Sequence, residues 1–321
     1  MEKNEINFNR VVSTITQLFN FIDEYAKKIQ NSSLKNSVHI KEENQKFTDL
    51  DWLIQKLFEN TFHQYFPNIT VFGEEDTSIN INISSDHELL VKMKQINPSK
   101  PLLDNEEGWN FCVKSSQQIT LFIDPIDATN QLILHNYEPA TVLVGICIDS
   151  KPTIGFIHYP FETKRFTYPI TIFNYPSKGV FKYTNNKENK NRVEPLTIPE
   201  NKKWTFIVSK SRAKPEMISF IKLFPNSEFV QENGLGNKAV ELILNNYVYF
   251  STGMYTVGYW DVCAADCICR EIGGGFYDFD GLEISYASKK EYINKLLFLV
   301  NDQQKREMFC KIVKENNVTN F

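Results

Sequence analysis

Two aspartates three positions apart, Asp124 and Asp127, flank a proline in the segment LFIDPIDATNQLI. The short apolar run ITLFI before them is typical of a buried strand, so Asp124 is predicted where that strand leaves the sheet. No lysine or arginine occurs between Lys114 and Lys151 to neutralise the two carboxylates. At a separation of about 4 Å they would repel each other by roughly 4 kcal/mol at an effective dielectric constant of about 20. We therefore expect that one of them stays protonated or that a cation lies between them.

The same pair also has an ordinary structural interpretation. Asp124 could end the strand and Asp127 could cap the helix that follows, because aspartates are common at such boundaries. Pro125 has no N–H and a fixed φ, so the turn is stiff. Both carboxylates and the carbonyl of Ile126 can then point in one direction, as an ion site requires. Both interpretations stay open at the level of this segment.

The residues after Asp127, ATNQL, are predicted to begin a helix. The free N–H groups and the positive dipole at a helix N-terminus bind anions, so Ala128 and Thr129 would suit a phosphate. For Thr129 the alternative is a hydroxyl that bonds only to the backbone of the first helical turn.

Other acidic residues fall at predicted strand ends and helix starts: Asp51, Glu74, Glu75 and Asp261. Hard cations such as Mg²⁺ are bound by carboxylates, backbone carbonyls, waters and substrate phosphates, and this set is large enough for more than one ion. Each acid also has an ordinary alternative. Thr48 and Asp51 match a capping box, the two glutamates could lie in a solvated loop, and Asp261 could be a helix N-terminal acid.

The elements that must position these acids follow from the spacing of apolar residues. Apolar residues at every third or fourth position predict a first helix over residues 11–29 and a second from about Thr48. Strands are predicted in NITVFGEED and before Asp124, and an antiparallel hairpin in TVLVGICID and TIGFIHYP. From about Pro169 strands alternate with helices, which is typical of a sheet covered by helices on both faces.

These elements predict two halves that share a cleft. We expect an α+β subdomain with an antiparallel sheet and most of the metal ligands over residues 1–168, and an α/β subdomain over residues 169–321. The acids of both would converge between them. In the second half, the small-residue helix VCAADCICRE is predicted to end at the glycines 273–275, and residues 185–203 are predicted to form an exposed loop.

Composition limits the kinds of partner. The chain has 321 residues, 42% of them hydrophobic, which is ample for a large core. A net charge of −4 gives no bulk attraction to nucleic acid or to anionic membranes. The N-terminus MEKNEINFNR has no apolar targeting segment, and six irregularly spaced cysteines suit a reducing compartment better than a disulfide framework. We expect a cytoplasmic protein that acts on a small molecule, with no nucleic acid, membrane or obligate protein partner.

Three segments taken together resemble one known family: GEE at residues 73–75, DPIDAT at 124–129 and WDVCAADCICREIGGG at 260–275. Their order and spacing are similar to those of the lithium-sensitive, magnesium-dependent phosphatase superfamily, which includes inositol monophosphatase, bisphosphate nucleotidase and inositol polyphosphate 1-phosphatase. The resemblance covers most of the chain. It implies a layered α-β-α-β-α sandwich, with α+β and α/β parts, and a hydrolase that uses roughly two to three Mg²⁺ ions to activate water.

Within the superfamily the sequence looks most like the inositol polyphosphate 1-phosphatase branch. Gln131 after DPIDAT, the segment TDLDWLIQ, and GLGNKAVELIL with Lys238 carry this likeness. Ala128 departs from the usual Ser or Gly, and residues 254–258 do not match the branch well. A 3′(2′),5′-bisphosphate nucleotidase and a broader inositol or sugar phosphatase are the alternatives. A haloacid-dehalogenase-type phosphatase is disfavoured because its aspartates stand closer, as D-x-D-x-T.

The resemblance implies a role for each matched residue. The implied Mg²⁺ ligands are Glu74, Glu75, Asp124, Ile126 through its carbonyl, Asp127 and Asp261. Asp124 would bridge two ions, and Glu75 with waters would help to hold a third, weaker one.

The implied catalytic pair is Asp51 and Thr129. Asp51 would accept a proton from the Thr129 hydroxyl, which would orient the attacking water, so that no covalent phosphoenzyme is needed. The residues expected to contact the substrate are Asp127, Ala128, Thr129, Ser209, Lys238 and Asp261. Lys238 and the basic run SKSR that begins at Ser209 are candidates for binding a second, non-reacting phosphate. For that run the alternative is a solvated loop.

Overall fold

A computed structural model of the protein describes residues 5–32, 35–41, 45–79, 81, 83–84, 87–100, 111–114, 117–184, 192–195, 203–210, 214–251, 257–287, 289, 291–293 and 295–318. The helices in these ranges are α1 (Phe8–Gln30), α2 (Asp49–Tyr65), α3 (Glu88–Val91), α4 (Thr129–Ile133), α5 (Pro215–Ile221), α6 (Leu235–Asn245), α7 (Tyr259–Glu271) and α8 (Gln303–Glu315), with a 3₁₀ turn at Lys92–Gln95. The strands are β1 (Glu5–Asn7), β2 (Val38–Ile40), β3 (Lys46–Thr48), β4 (Ile69–Gly73), β5 (Cys112–Lys114), β6 (Ile119–Asp127), β7 (Thr141–Ile148), β8 (Lys151–Tyr159), β9 (Ile170–Tyr175), β10 (Gly179–Thr184), β11 (Arg192–Pro195), β12 (Thr205–Ser209), β13 (Glu228–Glu232), β14 (Val248–Ser251), β15 (Val257–Gly258), β16 (Gly275–Asp278), β17 (Tyr292–Ile293) and β18 (Leu297–Val300).

The first large sheet has seven strands in the order β11-β10-β9-β8-β7-β6-β4. Neighbouring strands are antiparallel except β4 and β6, which are parallel. β7 and β8 form the predicted hairpin, and its turn residues Asp149 and Ser150 have positive φ angles of 49° and 65°. The sheet continues through β11, past residue 168, the predicted end of the first subdomain. The change from one sheet to the other therefore lies after β11, and the division into two subdomains stays a prediction.

The second large sheet has five strands in the order β13-β12-β14-β18-β16. β12 runs parallel to β13 and β14, whereas β18 runs antiparallel to β14 and β16. Along the chain these strands alternate with α5, α6, α7 and α8, as the sequence predicts. Parallel strands need crossover connections, and α5 and α6 supply them for β12, β13 and β14.

Alternating side chains along the strands bury both faces of both sheets. Leu121 belongs to the core between the first sheet and α1 and α2, whereas its neighbour Phe122 packs towards α6 and α7. In the second sheet Leu299 faces α6 and α7, whereas Phe298 packs against α5 and α8. The two sheets thus separate three helical layers. The predicted α-β-α-β-α sandwich is confirmed.

Two glycines of the first sheet allow α7 to approach closely. A β-carbon on Gly145 would lie 2.5 Å from Sγ of Cys263, and one on Gly155 would lie 2.1 Å from the carbonyl oxygen of Ala264. Glycine in a strand marks such a close backbone approach. This packing fixes the start of α7, where Asp261 lies.

Asp266, in the middle of α7, has a structural role. It is fully buried and accepts hydrogen bonds from Nε of Arg270, the amide of Phe276 and the hydroxyl of Tyr286 at 2.9, 2.8 and 2.9 Å. α7 ends two residues before Gly273, whose φ of 93° is in the left-handed region, so the predicted glycine C-terminus is confirmed.

Some sequence predictions fall outside the described residues. Of the predicted loop 185–203, the structure describes β11 and residue 203. Residues 211 and 212 of the basic run and residues 252–256 before α7 also lie outside the described part. Within the described part, no helix combines the length and apolar character needed to cross a membrane.

Candidate active site

Three acidic residues from three elements meet at one end of the first sheet. Gly73 pairs with Ile123 where β4 and β6 run in parallel, so Glu74 and Asp124 emerge side by side. Asp261 comes from the first turn of α7. One carboxylate oxygen of each of these three acids lies within 4.8 Å of the others. The structure therefore brings together three of the predicted metal ligands from distant parts of the sequence.

Asp124 is the carboxylate that most needs a cation. Its side chain is buried, and its Oδ1 atom has no hydrogen-bond partner among the described residues. Burial raises the pKa of Asp124 well above its usual range, and the carboxylates of Glu74, Asp127 and Asp261 raise it further. A buried, unpaired oxygen that faces other carboxylates fits a divalent cation with oxygen ligands, so this donor set suits Mg²⁺.

Asp127 lines the same cavity as Asp124, although residues three apart on a regular strand face opposite sides. The register of β6 on β7 shifts between them, and such a bulge re-aims the side chains. β6 thus continues through Asp127, which corrects the prediction that the strand ends at Asp124. Burial raises the pKa of Asp127 to about 6, although a 2.7 Å hydrogen bond from the amide of Gly236 and the charge of Lys238 oppose this.

The predicted helix after Asp127 is α4, which has only five residues. Ala128 precedes it with a φ of 70°, in the left-handed region. A residue with a β-carbon is disfavoured there by roughly 1–2 kcal/mol. The departure at Ala128 therefore places a strained alanine where a glycine would fit without strain. The use of the Ala128 and Thr129 N–H groups for phosphate stays a prediction.

Asp51 makes both of the contacts that the sequence left as alternatives. Its Oδ2 atom accepts hydrogen bonds from the amide and the hydroxyl of Thr48 at 2.8 and 2.5 Å, which completes the capping box of α2. Its Oδ1 atom accepts from the hydroxyl of Thr129 at 3.1 Å, and the carbonyl of Ile126 lies 2.8 Å from the same hydroxyl. Asp51 is fully buried, and this burial raises its pKa to about 6 against the hydrogen bonds from Thr48. The helix cap thus positions the predicted catalytic carboxylate.

Glu75 is bound by a lysine that the sequence analysis did not identify. Nζ of Lys41 lies 2.5 Å from Oε1 of Glu75 and 3.4 Å from Oε1 of Glu74. Gln55 bonds to the backbone of Glu75 in both directions at 2.7 Å. Burial raises the pKa of Glu75 to about 8, with Glu74 and Asp51 adding to this and Lys41 opposing it. The predicted role of Glu75 as a metal ligand stays a prediction.

The acids open into a cavity of about 440 Å³ that reaches the second sheet. Two of the predicted substrate contacts from the second half of the chain line it, Lys238 near the start of α6 and Ser209 at the end of β12. Nζ of Lys238 lies 4.8 Å from the centre of the Tyr249 ring. Lys210, the next residue of the basic run, is exposed and lies 3.3 Å from Glu232.

Aromatic residues form part of the cavity lining and were missed by the sequence analysis. Tyr249 comes from β14, Trp260 from α7 and Tyr292 from β17. The rings of Trp260 and Tyr292 meet edge to face with centres 4.9 Å apart. Trp260 begins the segment WDVCAADCICREIGGG, which carries part of the family resemblance. Its position directly before Asp261 could have indicated that it lies near the site.

Solved structures share this fold. A staphylococcal IMPase complexed with products superposes with a TM-score of 0.63 at 14% identity and covers 96% of this chain and 99% of that chain. An IMPase/NADP phosphatase complexed with Mg²⁺ and phosphate gives a TM-score of 0.62 at 15% identity, again over 96% and 99%. At these identities the likeness is one of fold.

Sequence relatives carry two kinds of name. Inositol monophosphatase 3 of Xenopus laevis is 27% identical over 268 residues, which is 79% of this chain and 67% of the relative. The putative inositol monophosphatase 3 of Drosophila melanogaster is 24% identical over 279 residues, which is 86% of this chain and 72% of the relative. The 3′(2′),5′-bisphosphate nucleotidase 1 of Mus musculus is 23% identical over 257 residues, 77% and 76%. The finer prediction, the inositol polyphosphate 1-phosphatase branch, stays a proposal.

The model of the inositol monophosphatase family matches residues 9–317. This range contains the three segments on which the sequence resemblance depends, and four of their acids, Glu74, Asp124, Asp127 and Asp261, line one cavity. The protein therefore belongs to the inositol monophosphatase family and is a metal-dependent phosphatase.

Proposed function

We propose that the protein removes the 1-phosphate from inositol polyphosphates such as inositol 1,4-bisphosphate, using Mg²⁺ and a water molecule. The supporting observation is the Thr129–Asp51 hydrogen bond beside the clustered carboxylates of Glu74, Asp124 and Asp261. Water attack on a phosphate ester needs an oriented nucleophile and positive charge near the phosphate oxygens. The threonine–aspartate pair would orient the nucleophile. The carboxylate cluster, once it has bound metal, would supply the positive charge.

The proposed Mg²⁺ ligands are Glu74, Asp124, the Ile126 carbonyl, Asp127 and Asp261. The Oδ1 atom of Asp124, which has no hydrogen-bond partner within the described ranges, supports the role of Asp124 as the shared ligand. When bound, Mg²⁺ lowers the pKa of water and neutralises charge on phosphate oxygens. The amide of Gly236 holds Asp127 from the side of α6, so the second half of the chain helps to orient a ligand of the first.

Thr129 would orient the attacking water, and Asp51 would accept the hydrogen of the Thr129 hydroxyl. At a pKa of about 6, Asp51 is ionised in mildly alkaline solution and can act as this acceptor. The two donors of Thr48 hold the other carboxylate oxygen, which fixes the side chain of Asp51. The hydroxyl oxygen of Thr129 would then accept a hydrogen bond from the water. This bond would direct a lone pair of the water oxygen towards phosphorus.

Substrate preference would come from cavity residues other than the metal ligands, because the metal ligands treat all phosphate monoesters alike. Lys238 is buried and lines the cavity. A charge-assisted hydrogen bond to a desolvated phosphate contributes about 1.5–3 kcal/mol, which corresponds to roughly ten- to a hundredfold in affinity. We therefore propose that Lys238 binds the phosphate that is not cleaved.

A bisphosphate nucleotidase is the second candidate. Tyr249, Trp260 and Tyr292 line the same cavity, and stacking of a nucleobase on an aromatic side chain contributes about 1–3 kcal/mol. The mouse relative is named a 3′(2′),5′-bisphosphate nucleotidase. A broader inositol or sugar phosphatase would use the metal ligands without a second phosphate contact.

Substrate preference can be tested by phosphate release from a panel of esters. We expect kcat/KM for inositol 1,4-bisphosphate to exceed that for inositol 1-phosphate by at least about tenfold, given the strength of one lysine–phosphate contact. Lys238→Ala should remove most of that difference and leave kcat/KM for inositol 1-phosphate nearly unchanged.

The matched control is Lys203→Ala, since Lys203 is exposed and pairs with Glu228 at 2.5 Å. This control should leave the difference unchanged. If 3′-phosphoadenosine 5′-phosphate has the highest kcat/KM, the nucleotidase function replaces ours. If Lys238→Ala lowers kcat/KM equally for all substrates, the lysine is structural and the second phosphate must bind elsewhere.

Lithium should inhibit the enzyme in the millimolar range. Li⁺ has a radius close to that of Mg²⁺ but half its charge, so it can take a carboxylate-lined ion position without neutralising the phosphate. A staphylococcal IMPase has been solved as a LiCl-soaked inhibitory complex. The measurement is the rate of phosphate release against LiCl at fixed Mg²⁺, with NaCl as the control for ionic strength. Equal effects of the two salts, or a requirement for Zn²⁺ instead of Mg²⁺, would refute the metal assignment.

We also propose a reducing compartment such as the cytoplasm. All six cysteines are free thiols, and Sγ of Cys147 and Sγ of Cys263 remain 3.4 Å apart without a bond. Free, buried thiols persist where reductants are abundant.

A further inference from the structure

Lys41 already places a positive charge on the acidic pair that was predicted to hold a third metal ion. Its ammonium lies 2.5 Å from Glu75 and 3.4 Å from Glu74, so one cation contacts both carboxylates. The side chain of Lys41 is 16% exposed and that of Glu75 is 3% exposed. This is a mostly desolvated ion pair, unlike the surface pairs elsewhere on the chain.

The backbone and a ring hold Lys41 in this position. The amide of Lys41 donates to the carbonyl of Gln45 at 2.7 Å, which closes the connection between β2 and β3. Its ammonium lies 5.6 Å from the centre of the Phe47 ring. Glu75 is fixed in turn by Gln55, so both partners of the ion pair are anchored.

A divalent cation on Glu75 would have to displace this ammonium. The displaced lysine would remain tethered beside β3 and would face a like charge at short range, which is unfavourable in a partly buried site. An ammonium is a donor only and cannot share an ion as a ligand. The lysine and a third ion are therefore alternatives at this pair.

The charges of the site agree with two ions. Six carboxylates lie in or beside the cavity: Asp51, Glu74, Glu75, Asp124, Asp127 and Asp261. Among the residues that the structure describes, Lys41 and Lys238 are the mostly buried lysines that face them. With all six carboxylates ionised, the two lysines leave four negative charges, which two divalent cations neutralise.

We propose that Lys41 is the resident cation of the Glu74–Glu75 pair and that the substrate-free protein binds two divalent cations, with Glu75 paired to Lys41 instead of to metal. The proposal refines the metal site of the proposed function. Its test uses no substrate, so it can fail while the phosphatase function stands, and the reverse also holds.

The test is to count Mn²⁺ ions bound to the purified full-length protein by calorimetry and by the electron paramagnetic resonance signal of free Mn²⁺. The wild-type protein should bind two ions. Lys41→Met removes the charge and keeps the length of the side chain, so it should bind a third ion. Lys41→Arg keeps the charge and should bind two.

The matched control is Lys28→Met, since Lys28 is exposed and pairs at 2.6 Å with Glu88, which is not one of these acids. It should bind two ions, like the wild type. A wild-type count of three, or an unchanged count in Lys41→Met, overturns the proposal.

A second variant covers the case in which Lys41→Met does not fold. Glu75→Gln keeps the shape of the side chain and removes its charge. It should still bind two Mn²⁺ ions, weakened by no more than the roughly 10–100-fold that an outer-shell change costs, because Glu75 itself is not a ligand. Loss of one ion in Glu75→Gln would show that Glu75 is a ligand and would overturn the proposal.

Discussion

Replacing Asp124 by asparagine should lower phosphate release by more than about a hundredfold, because even outer-shell changes at metal sites cost 10–100-fold. Asp124 is the proposed ligand of both ions, and its buried Oδ1 atom has no protein partner among the described residues. An amide supplies one neutral oxygen in place of a charged bidentate group, so both ion positions should weaken together. The assay is phosphate release at saturating Mg²⁺, with chelator-treated wild type as the baseline. Activity of more than a few per cent in Asp124→Asn would contradict the bridging role.

The same substitution should stabilise the metal-free protein. Burial and four neighbouring carboxylates raise the pKa of Asp124 in the folded state, so the folded chain binds more protons than the unfolded chain. The stability of the metal-free wild type should therefore fall as the pH rises from about 4, the pKa of an unfolded aspartate, through the folded pKa. Thermal melting in chelator should show a higher Tm at pH 5 than at pH 8. Asp124→Asn should reduce that difference by raising the Tm at pH 8.

Asp266→Asn is the matched control for this stability effect. Asp266 is buried as completely as Asp124 and burial also raises its pKa, but it is hydrogen-bonded to Arg270, Phe276 and Tyr286. Removing one partner of a buried, satisfied network is destabilising. Asp266→Asn should therefore lower the Tm of the metal-free protein and keep the stabilisation by Mg²⁺. Asp124→Asn should instead raise that Tm at pH 8 and lose the stabilisation by Mg²⁺. Equal shifts in the two variants would show that repulsion at Asp124 is not the cause.

The sequence was sufficient where local periodicity and strand ends determine structure. The apolar spacing of residues 11–29 predicts α1, and the run before Asp124 predicts β6. The convergence of Glu74 and Asp124 could be expected because each directly follows an apolar run predicted as a strand, and the structure makes those strands parallel neighbours. Residues that follow adjacent parallel strands necessarily lie at the same sheet edge.

The bulge in β6 could not be read from the sequence. A proline inside a strand removes a ladder hydrogen bond and is usually a sign of a turn or an edge. The structure accommodates Pro125 by the shift in register between Asp124 and Asp127. The extension of the sheet through β11 was missed for a different reason, since strand order depends on tertiary pairing and not on the pattern of one segment.

Lys41 was missed because its partners are remote. It lies in the polar stretch IKEENQK, which is typical of a solvated loop, and Glu74 and Glu75 follow more than thirty residues later. The same argument applies to Tyr249 and Tyr292, which reach the cavity from β14 and β17. Side chains whose role depends on a long-range contact leave no spacing signal in a single sequence.

The Thr129–Asp51 pair should act as one unit in catalysis. Asp51→Asn and Thr129→Ala should each lower kcat by about two to four powers of ten, the usual contribution of a positioned acid–base group. The neutral amide at position 51 is a weaker acceptor for the Thr129 hydroxyl, and alanine at position 129 removes that hydroxyl altogether. Because either change breaks the same relay, the double variant should be little slower than the slower single variant. Metal binding should be nearly unchanged in all three, as measured by calorimetry.

The capping contact allows the two roles of Asp51 to be separated. Thr48→Ala removes the hydroxyl that donates to Oδ2 of Asp51 and leaves the Oδ1 contact with Thr129 in place. Loss of an N-cap side chain costs about 1 kcal/mol of stability. Thr48→Ala should therefore lower the Tm while changing kcat at pH 8 by less than about threefold, far below the effect of a lost acid–base group. Two results together would contradict the relay: losses in kcat that multiply in the Asp51→Asn, Thr129→Ala double variant, and a loss in Thr48→Ala as large as that in Asp51→Asn. Asp51 would then serve only to cap α2, and other groups would have to orient the nucleophile.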